Sequence, residues 1–175
     1  TDSYPLKSVR VIVPFAAGGT TDIVTRVLSQ RLTEIWGQQL LVDNRPGAGG
    51  NIGSEAVAKA PNDGYSILMA TVATHGINAS LYKRLPYDPV TDFTPITLVA
   101  STPSVLMLNL AVPANSVREL VELAKAKPGQ LTYASAGTGS VHHLAGELLK
   151  TITRIDIIHI PYKGGSDAVT ELLGG

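Results

Sequence analysis

The sequence predicts an α/β fold in which a mostly parallel sheet arrangement is divided between two lobes. Short β-branched runs alternate with amphipathic helical patterns along most of the 175 residues. Strands that alternate with helices require right-handed crossovers, which produce parallel neighbours. A polar, proline-bearing stretch at 85–95 interrupts the alternation, and two apolar runs without an obvious helix between them follow it. We therefore predict a first lobe at 1–100 and a second lobe at 101–175.

The first lobe is predicted to open with a strand and a long helix. The run Val9–Val13 is β-branched and continuous, as in a buried parallel strand. Apolar residues then recur at three- and four-residue steps across Thr20–Trp36, which indicates a helix. Thr20 or Thr21 is a candidate N-cap, and Gly37 is a candidate end of this helix.

The strand–helix unit is predicted to recur in both lobes. A strand at 40–42 leads into a glycine-rich turn and a short helix at 54–60. Asp63 and Gly64 then form a turn before a strand at 67–70. In the second lobe we expect helices at 117–126, 141–152 and 166–173, and strands at 131–134 and 157–160.

Composition argues against several classes of protein. Lys plus Arg and Asp plus Glu number 14 each without blocks of like charge, so neither nucleic acid nor an anionic membrane is an expected partner. The lack of cysteine excludes disulfides, thiolate zinc sites and a cysteine nucleophile. No apolar run approaches the ~20 residues that cross a bilayer, and residues 1–5 lack the features of a signal peptide. The chain is expected to be either cytosolic or already processed.

Two strand-to-helix turns are the candidate ligand-binding elements. The first loop, residues 15–21, and the second loop, residues 135–140, share a glycine- and hydroxyl-rich make-up. Each follows a predicted strand, at the sheet edge where open parallel sheets bind ligands and where amides at helix starts favour anions. Glycine allows close approach, and hydroxyl groups add donors. The pair therefore predicts an anion site, although either loop alone is also compatible with a tight connector.

Other kinds of site are weaker interpretations of the sequence. The stretch 47–53 is similar to the dinucleotide fingerprint G-x-G-x-x-G, but its third glycine comes one residue late and it does not follow a strand directly. His143 and Glu147 share a helical face beside His142, yet they are too few for a metal site. Ser140 is not in a G-x-S-x-G elbow and is expected to cap the following helix. No metal ligand, cofactor or catalytic residue is predicted.

Seven segments of the sequence, taken in order, resemble those of a known family. They are PFAAGGTTD at 14–22, DNRPGAGGNIG at 43–53, DGY at 63–65, LPYDP at 85–89, DF at 92–93, SAGTGS at 135–140 with His143 and Leu144, and IPYKG at 160–164. On these motifs the chain resembles the tripartite tricarboxylate transporter substrate-binding proteins, the Bug or TctC-like family of periplasmic receptors. The match runs nearly end to end, which makes it far more specific than any one glycine loop.

The resemblance implies a fold, a location and partners. It implies a two-lobed periplasmic solute-binding fold of the Venus-flytrap type (type II), an exported monomer whose signal peptide is absent from this chain, and a permease of two membrane subunits. Family members are considerably longer, so we expect the native protein to continue beyond Gly175.

The resemblance also implies which residues hold a small carboxylate, through amides, hydroxyls and bridging waters. These are Phe15, Ala17, Gly18, Gly19, Thr20 and Thr21 in the first loop, then Ser135, Ala136, Gly137, Thr138, Gly139 and Ser140 in the second, with His143 after it and, more weakly, Asn51 and His75.

The preferred interpretation is a binding protein for a small mono- or dicarboxylate rather than an enzyme. Neither loop contains an arginine, so we expect amides to meet the charge of the anion and selectivity to be modest. The alternative is an α/β enzyme that acts on a phosphorylated or acyl substrate with Ser140 or His143 in the chemistry. A third possibility is a structural or signalling interaction module. No spacing of nucleophile and base favours the enzyme.

Overall fold

Two parallel β-sheets organise the chain in the computed structural model, which describes residues 4–175. The first sheet consists of β1 (Val9–Val13), β2 (Leu40–Asn44) and β3 (Ser66–Leu68) in the order β2-β1-β3. The second consists of β4 (Thr132–Ser135) and β5 (Ile158–Pro161). One sheet lies in each predicted lobe, whereas the boundary at residue 100 stays a prediction.

Six α-helices within residues 4–175 connect and cover these sheets. They are α1 (Thr20–Trp36), α2 (Asn51–Ala58), α3 (Asn78–Leu81), α4 (Val117–Ala126), α5 (Val141–Thr153) and α6 (Gly165–Gly174). The predicted bounds of α1 and α4 are confirmed, and those of α5 and α6 agree to within one residue at each end. Across residues 4–175, every helix is too short or too polar to cross a membrane.

The central strand β1 carries the core of the first lobe. It pairs in parallel with both neighbours, so Val11 lies opposite Val42 of β2 and Ile67 of β3. Val9 and Val13 are fully buried, as the continuous β-branched pattern predicts. Leu32, Trp36, Tyr65 and Ile67 pack against the buried cluster of Val9, Val11 and Leu40. This packing fixes the end of β1, where the first loop begins.

The start of α1 differs from the prediction. Gly19 is the N-cap, so the predicted capping by Thr20 or Thr21 is wrong. A carboxylate one turn later provides the acceptor instead, since Oδ2 of Asp22 accepts a hydrogen bond from the amide of Gly18 at 2.9 Å. An acidic side chain in the first turn also complements the helix dipole.

Left-handed glycines set other helix boundaries. Gly37 ends α1 at φ 65°, which confirms the predicted end of this helix. Gly49 (φ 64°) and Gly50 (φ 92°) form a 3₁₀ turn over Ala48–Gly50 that runs directly into α2. For this reason α2 begins at Asn51, three residues before the predicted start at 54.

The second lobe has a smaller core beneath α4 and α5. Ala124, Ile155 and Ile157 are buried, and Tyr133 on β4 lies opposite His159 on β5. Both strands lie one residue later than predicted, and β3 in the first lobe is shorter than predicted. Oγ of Ser140 accepts a hydrogen bond from the amide of His143 at 3.2 Å, which confirms the predicted cap of α5.

The segment 93–109, between the two sheets, has no regular secondary structure. Its apolar side chains are largely exposed, with Ile96 at 76%, Leu98 at 84% and Val105 at 71%. The predicted crossing between lobes lies in this segment.

Candidate functional site

A cleft of about 240 Å³ lies where the carboxyl ends of strands from both sheets face each other. Phe15 and the glycine turn, residues 47–50, line it from the first lobe together with Tyr82. From the second lobe it is lined by residues 136–138 of the second loop and by residues 161–163 at the end of β5. All four loops follow strands, so the cleft occupies the sheet edge at which the sequence places the site.

The lining of the cleft is suited to an anion. Among the lining residues that the structure describes within 4–175, Lys163 is the only charged side chain and none is a carboxylate. Tyr82 and Tyr162 add two hydroxyl groups, and backbone supplies much of the remaining surface. Sequence analysis missed all three side chains.

Asp22 fixes the backbone of the first loop from below. Its side chain is 2% exposed and accepts hydrogen bonds from the amide of Gly18 (2.9 Å), from Nδ2 of Asn44 (3.0 Å) and from Nε of Arg26 (2.9 Å). Asn44 also donates to the carbonyl of Phe15 at 3.1 Å. Burial alone would raise the pKa of Asp22, but these hydrogen bonds outweigh it and hold the pKa below its usual value. The loop is therefore anchored to an ionised carboxylate.

The rest of the first loop meets the second lobe rather than the cleft lining. Oγ of Ser166 donates to the carbonyl of Ala17 at 2.9 Å. Gly164 packs closely on Ala16, where a Cβ at Gly164 would lie 2.7 Å from that of Ala16. Of the predicted residues in this loop, Phe15 lines the cleft, whereas Ala17, Gly18 and Gly19 lie at the contact with α6. Thr20 and Thr21 are the first residues of α1 and do not line the cleft. Their contact with a ligand stays a prediction.

In the second loop, several side chains hold the backbone by hydrogen bonds. Oγ of Ser135, 1% exposed, accepts from the amide of Gly137 (3.1 Å) and lies 2.7 Å from Nε2 of His159. The amide of Gly139 donates to Nδ1 of His143 at 3.2 Å. Of the predicted residues, Ala136, Gly137 and Thr138 line the cleft, whereas Ser135, Gly139, Ser140 and His143 brace the loop from behind.

His159 lies in a stack of aromatic rings beneath the second loop. Its ring is 4.1 Å from that of His143 and 4.9 Å from that of Tyr133. Burial lowers the pKa of His159. Burial and the nearby carboxylate of Glu147 raise the pKa of Tyr133, whose hydroxyl donates to Oε1 of Glu147 at 2.7 Å. Within residues 4–175, no three His, Asp or Glu side chains come together as metal ligands.

Asn51 and His75 lie behind the glycine turn. Oδ1 of Asn51 accepts from Nδ2 of Asn78 at 2.7 Å, and Asn78 also donates to the carbonyl of Gly49 at 3.0 Å. His75 contacts Phe93 edge to face at 4.7 Å, and burial lowers its pKa. Neither predicted residue lines the cleft. Asn51 is linked to the turn through Asn78. Direct contact of Asn51 or His75 with a ligand stays a prediction.

Acidification below about pH 6.5 is expected to lower the free energy of unfolding. The pKa values of His75 and His159 are held below the ordinary value near 6.5, so the unfolded chain binds protons first as the pH falls. The loss begins near pH 6.5 and is complete once the pH has passed the lowered pKa values. The lowered pKa values of Asp22 and Glu147 add a second loss below about pH 4.

Urea unfolding between pH 8 and pH 5 tests this prediction. A variant with His75→Gln and His159→Gln should show a flatter dependence on pH than the parent protein. Parent stability that does not change over this range would contradict the expected role of the two histidines.

Two lobes whose parallel sheets direct their strand ends into one cleft define a two-lobed α/β binding protein. Residues 24–175 match the family model described as "Tripartite tricarboxylate transporter family receptor", and the chain belongs to that family. The family membership predicted from the sequence motifs is confirmed.

Individual proteins agree with this assignment. Protein BugT of Bordetella pertussis (strain Tohama I) is 41% identical over 175 residues, which are 99% of this chain and 54% of BugT. A solved structure described as a periplasmic transporter is 46% identical with a TM-score of 0.96, over 98% of this chain and 58% of that one. R. palustris Rpa4515, solved with adipate, is 40% identical with a TM-score of 0.96, over 98% of this chain and 57% of that one.

The predicted fold class is confirmed by these structures. The chain spans about half the length of the curated relatives it matches.

Proposed function

We propose that this chain belongs to a periplasmic receptor that captures a small carboxylate between its two lobes and delivers it to a tripartite tricarboxylate-type permease with two membrane subunits. The observation that carries the proposal is the cleft itself. It combines one lysine, two tyrosine hydroxyls and backbone from four loops, and none of the described residues that line it is acidic. A carboxylate fits this lining better than a cation or a neutral solute of equal size.

Backbone amides are the expected carboxylate ligands on the second lobe. The amides of Ala136 and Thr138 have no acceptor within residues 4–175, and both residues line the cleft. Ordered amides bind anions without the side-chain entropy that a flexible cation loses. Lys163 at the rim supplies the positive charge that neither loop contains.

Contacts across the cleft support capture by closure of the lobes. The hydroxyl of Tyr82 donates to the carbonyl of Thr138 at 3.4 Å, and Ser166 donates to Ala17 at 2.9 Å. These bonds join the first lobe to the second on two sides of the lining. Closure of this kind around a ligand is a common hinge motion of two-lobed receptors.

Binding without turnover is favoured by the positions of the candidate nucleophiles. Oγ of Ser140 caps the helix by accepting a hydrogen bond from the amide of His143. Nδ1 of His143 accepts a hydrogen bond from the amide of Gly139. Ser135 and His159 form a hydroxyl–imidazole pair at 2.7 Å, but Ser135 is 1% exposed. A buried hydroxyl of this kind cannot reach a substrate in the cleft, so we propose a binding protein without an enzymatic step. We also propose that the protein is a monomer.

Calorimetric titration with succinate, malate, glutarate and adipate tests the proposal, with adipamide as a matched control that lacks charge. At least one acid should bind and raise the unfolding midpoint. At a ligand concentration of a hundred times its dissociation constant, the free energy of unfolding should rise by about 2.7 kcal/mol. Adipamide should not bind. Binding of adipamide as tight as that of adipate, or no binding of any acid, would contradict the proposal, and conversion of a bound acid would favour an enzyme.

A further inference from the structure

Successive amides of the second loop differ in whether they have a hydrogen-bond partner within residues 4–175. Gly137 (φ 116°) and Gly139 (φ 84°) are left-handed, and their amides donate to groups behind the loop. Ala136 precedes Gly137, and Thr138 lies between the two glycines. The amides of Ala136 and Thr138 have no acceptor within residues 4–175. What holds the two glycine amides inward therefore decides which amides face the cleft.

His143 holds the amide of Gly139. An amide can only donate, so Nδ1 of His143, 3.2 Å away, must be an unprotonated acceptor. The ring is therefore neutral, with its proton on Nε2. The backbone that carries the ring is also fixed, because the amide of His143 donates to Oγ of Ser140 at 3.2 Å. A ring anchored in this way presents Nδ1 to one loop amide.

His159 holds the amide of Gly137 through Ser135. Nε2 of His159 lies 2.7 Å from Oγ of Ser135. The same Oγ accepts a hydrogen bond from the amide of Gly137 and lies 3.1 Å from the Gly137 carbonyl oxygen. Ser135 is 1% exposed, so its hydroxyl is shielded from bulk water and relies on partners within the protein. The ring of His159 stacks on that of His143 at 4.1 Å, so the two histidines are held as one unit.

We propose that His143 and His159 are positioning residues that turn the amides of Gly137 and Gly139 away from the cleft and leave those of Ala136 and Thr138 to bind the ligand carboxylate. The inference rests on the proposed function for its ligand. The two histidines touch the loop and not the ligand. They act through different ring atoms, Nδ1 in His143 and Nε2 in His159.

Because the two histidines use different ring atoms, substituting Asn and Gln at each position tests the proposal. The amide group of asparagine reaches the position of Nδ1, and that of glutamine reaches the position of Nε2. His143→Asn and His159→Gln should therefore retain most of the affinity for adipate, or for whichever screened acid binds best. His143→Gln and His159→Asn should each weaken binding about tenfold, which corresponds to the loss of one hydrogen bond. His142→Gln, at an exposed neighbouring position, is the control and should not change affinity.

Amide hydrogen exchange provides a readout that needs no ligand. In the unmodified protein the amides of Gly137 and Gly139 should exchange slowly. His143→Gln should speed exchange mainly at Gly139, and His159→Asn mainly at Gly137. Equal losses with Asn and Gln at both positions, or unchanged exchange at both glycines, would overturn the proposal. If no acid binds but the exchange pattern appears, the positioning holds and the proposed function fails.

Discussion

Replacing Gly49 with alanine is expected to weaken carboxylate binding roughly 10- to 100-fold, the equivalent of one strained contact in a packed interface. A Cβ at this position would lie 2.6 Å from the carbonyl oxygen of Thr138 and 3.0 Å from the hydroxyl of Tyr82. The first of these atoms belongs to the second lobe, and both residues line the cleft. The second loop would have to retreat from the glycine turn, which separates the groups that hold the ligand.

Gly37→Ala is a matched control for this substitution. Gly49 and Gly37 have almost the same left-handed conformation, with φ of 64° and 65°. Both variants therefore lose about 1 kcal/mol of stability to backbone strain. A Cβ at Gly37 meets nothing within 4 Å, so its affinity for the acid should not change. Calorimetric titration and urea unfolding measure the two effects separately, and equal losses of affinity in the two variants would show that Gly49 does not govern closure.

Local pattern predicted the regular elements well. The three- and four-residue spacing in α1 and α4 gave their bounds. In α4 two apolar residues of this pattern, Leu120 and Ala124, are buried. In α1 the buried residues are polar instead: Asp22, Thr25 and Ser29. The start of α2 was misplaced because two successive left-handed glycines, Gly49 and Gly50, form a turn that has no apolar period. The N-cap of α1 was misplaced because Asp22 accepts the amide of Gly18, a bond that hydroxyl preferences at helix starts do not reveal.

The candidate site was predicted at the level of loops but not of contacts. The rule that ligands bind at the carboxyl ends of parallel strands located the second loop, and the same rule applied to β2 and β5 would have found residues 47–50 and 161–163. The pairing of Ser135 with His159 depends on the register between β4 and β5, which sequence spacing does not specify. The sequence around Tyr82 does not indicate a binding role, because this residue follows no strand and lines the cleft only once the whole chain has folded.

Gly53→Ala is expected to lower the free energy of unfolding by about 3 kcal/mol, the upper part of the range for an overpacked core. Gly53 is buried in α2, and a Cβ there would lie 2.8 Å from Cα of Pro14, 2.9 Å from its Cβ and 3.0 Å from the carbonyl oxygen of Arg45. Two of these three atoms are backbone, so they cannot move aside as a flexible side chain would. The amide of Arg45 also donates to the carbonyl of Val13 at 2.8 Å, which ties together the ends of β1 and β2.

Gly165→Ala separates this steric effect from the general effect of alanine in a helix. Gly165 lies at the start of α6, and a Cβ there meets nothing within 4 Å. Alanine has the higher helix propensity, so this control should leave stability unchanged or raise it by up to about 1 kcal/mol. Urea unfolding of both variants gives the comparison. A Gly53→Ala protein that remained as stable as its parent would mean that α2 can move away from β1 without loss of stability. Because Pro14 and Arg45 lead into the first loop and the glycine turn, this result would also mean that the first-lobe wall of the cleft is not rigid.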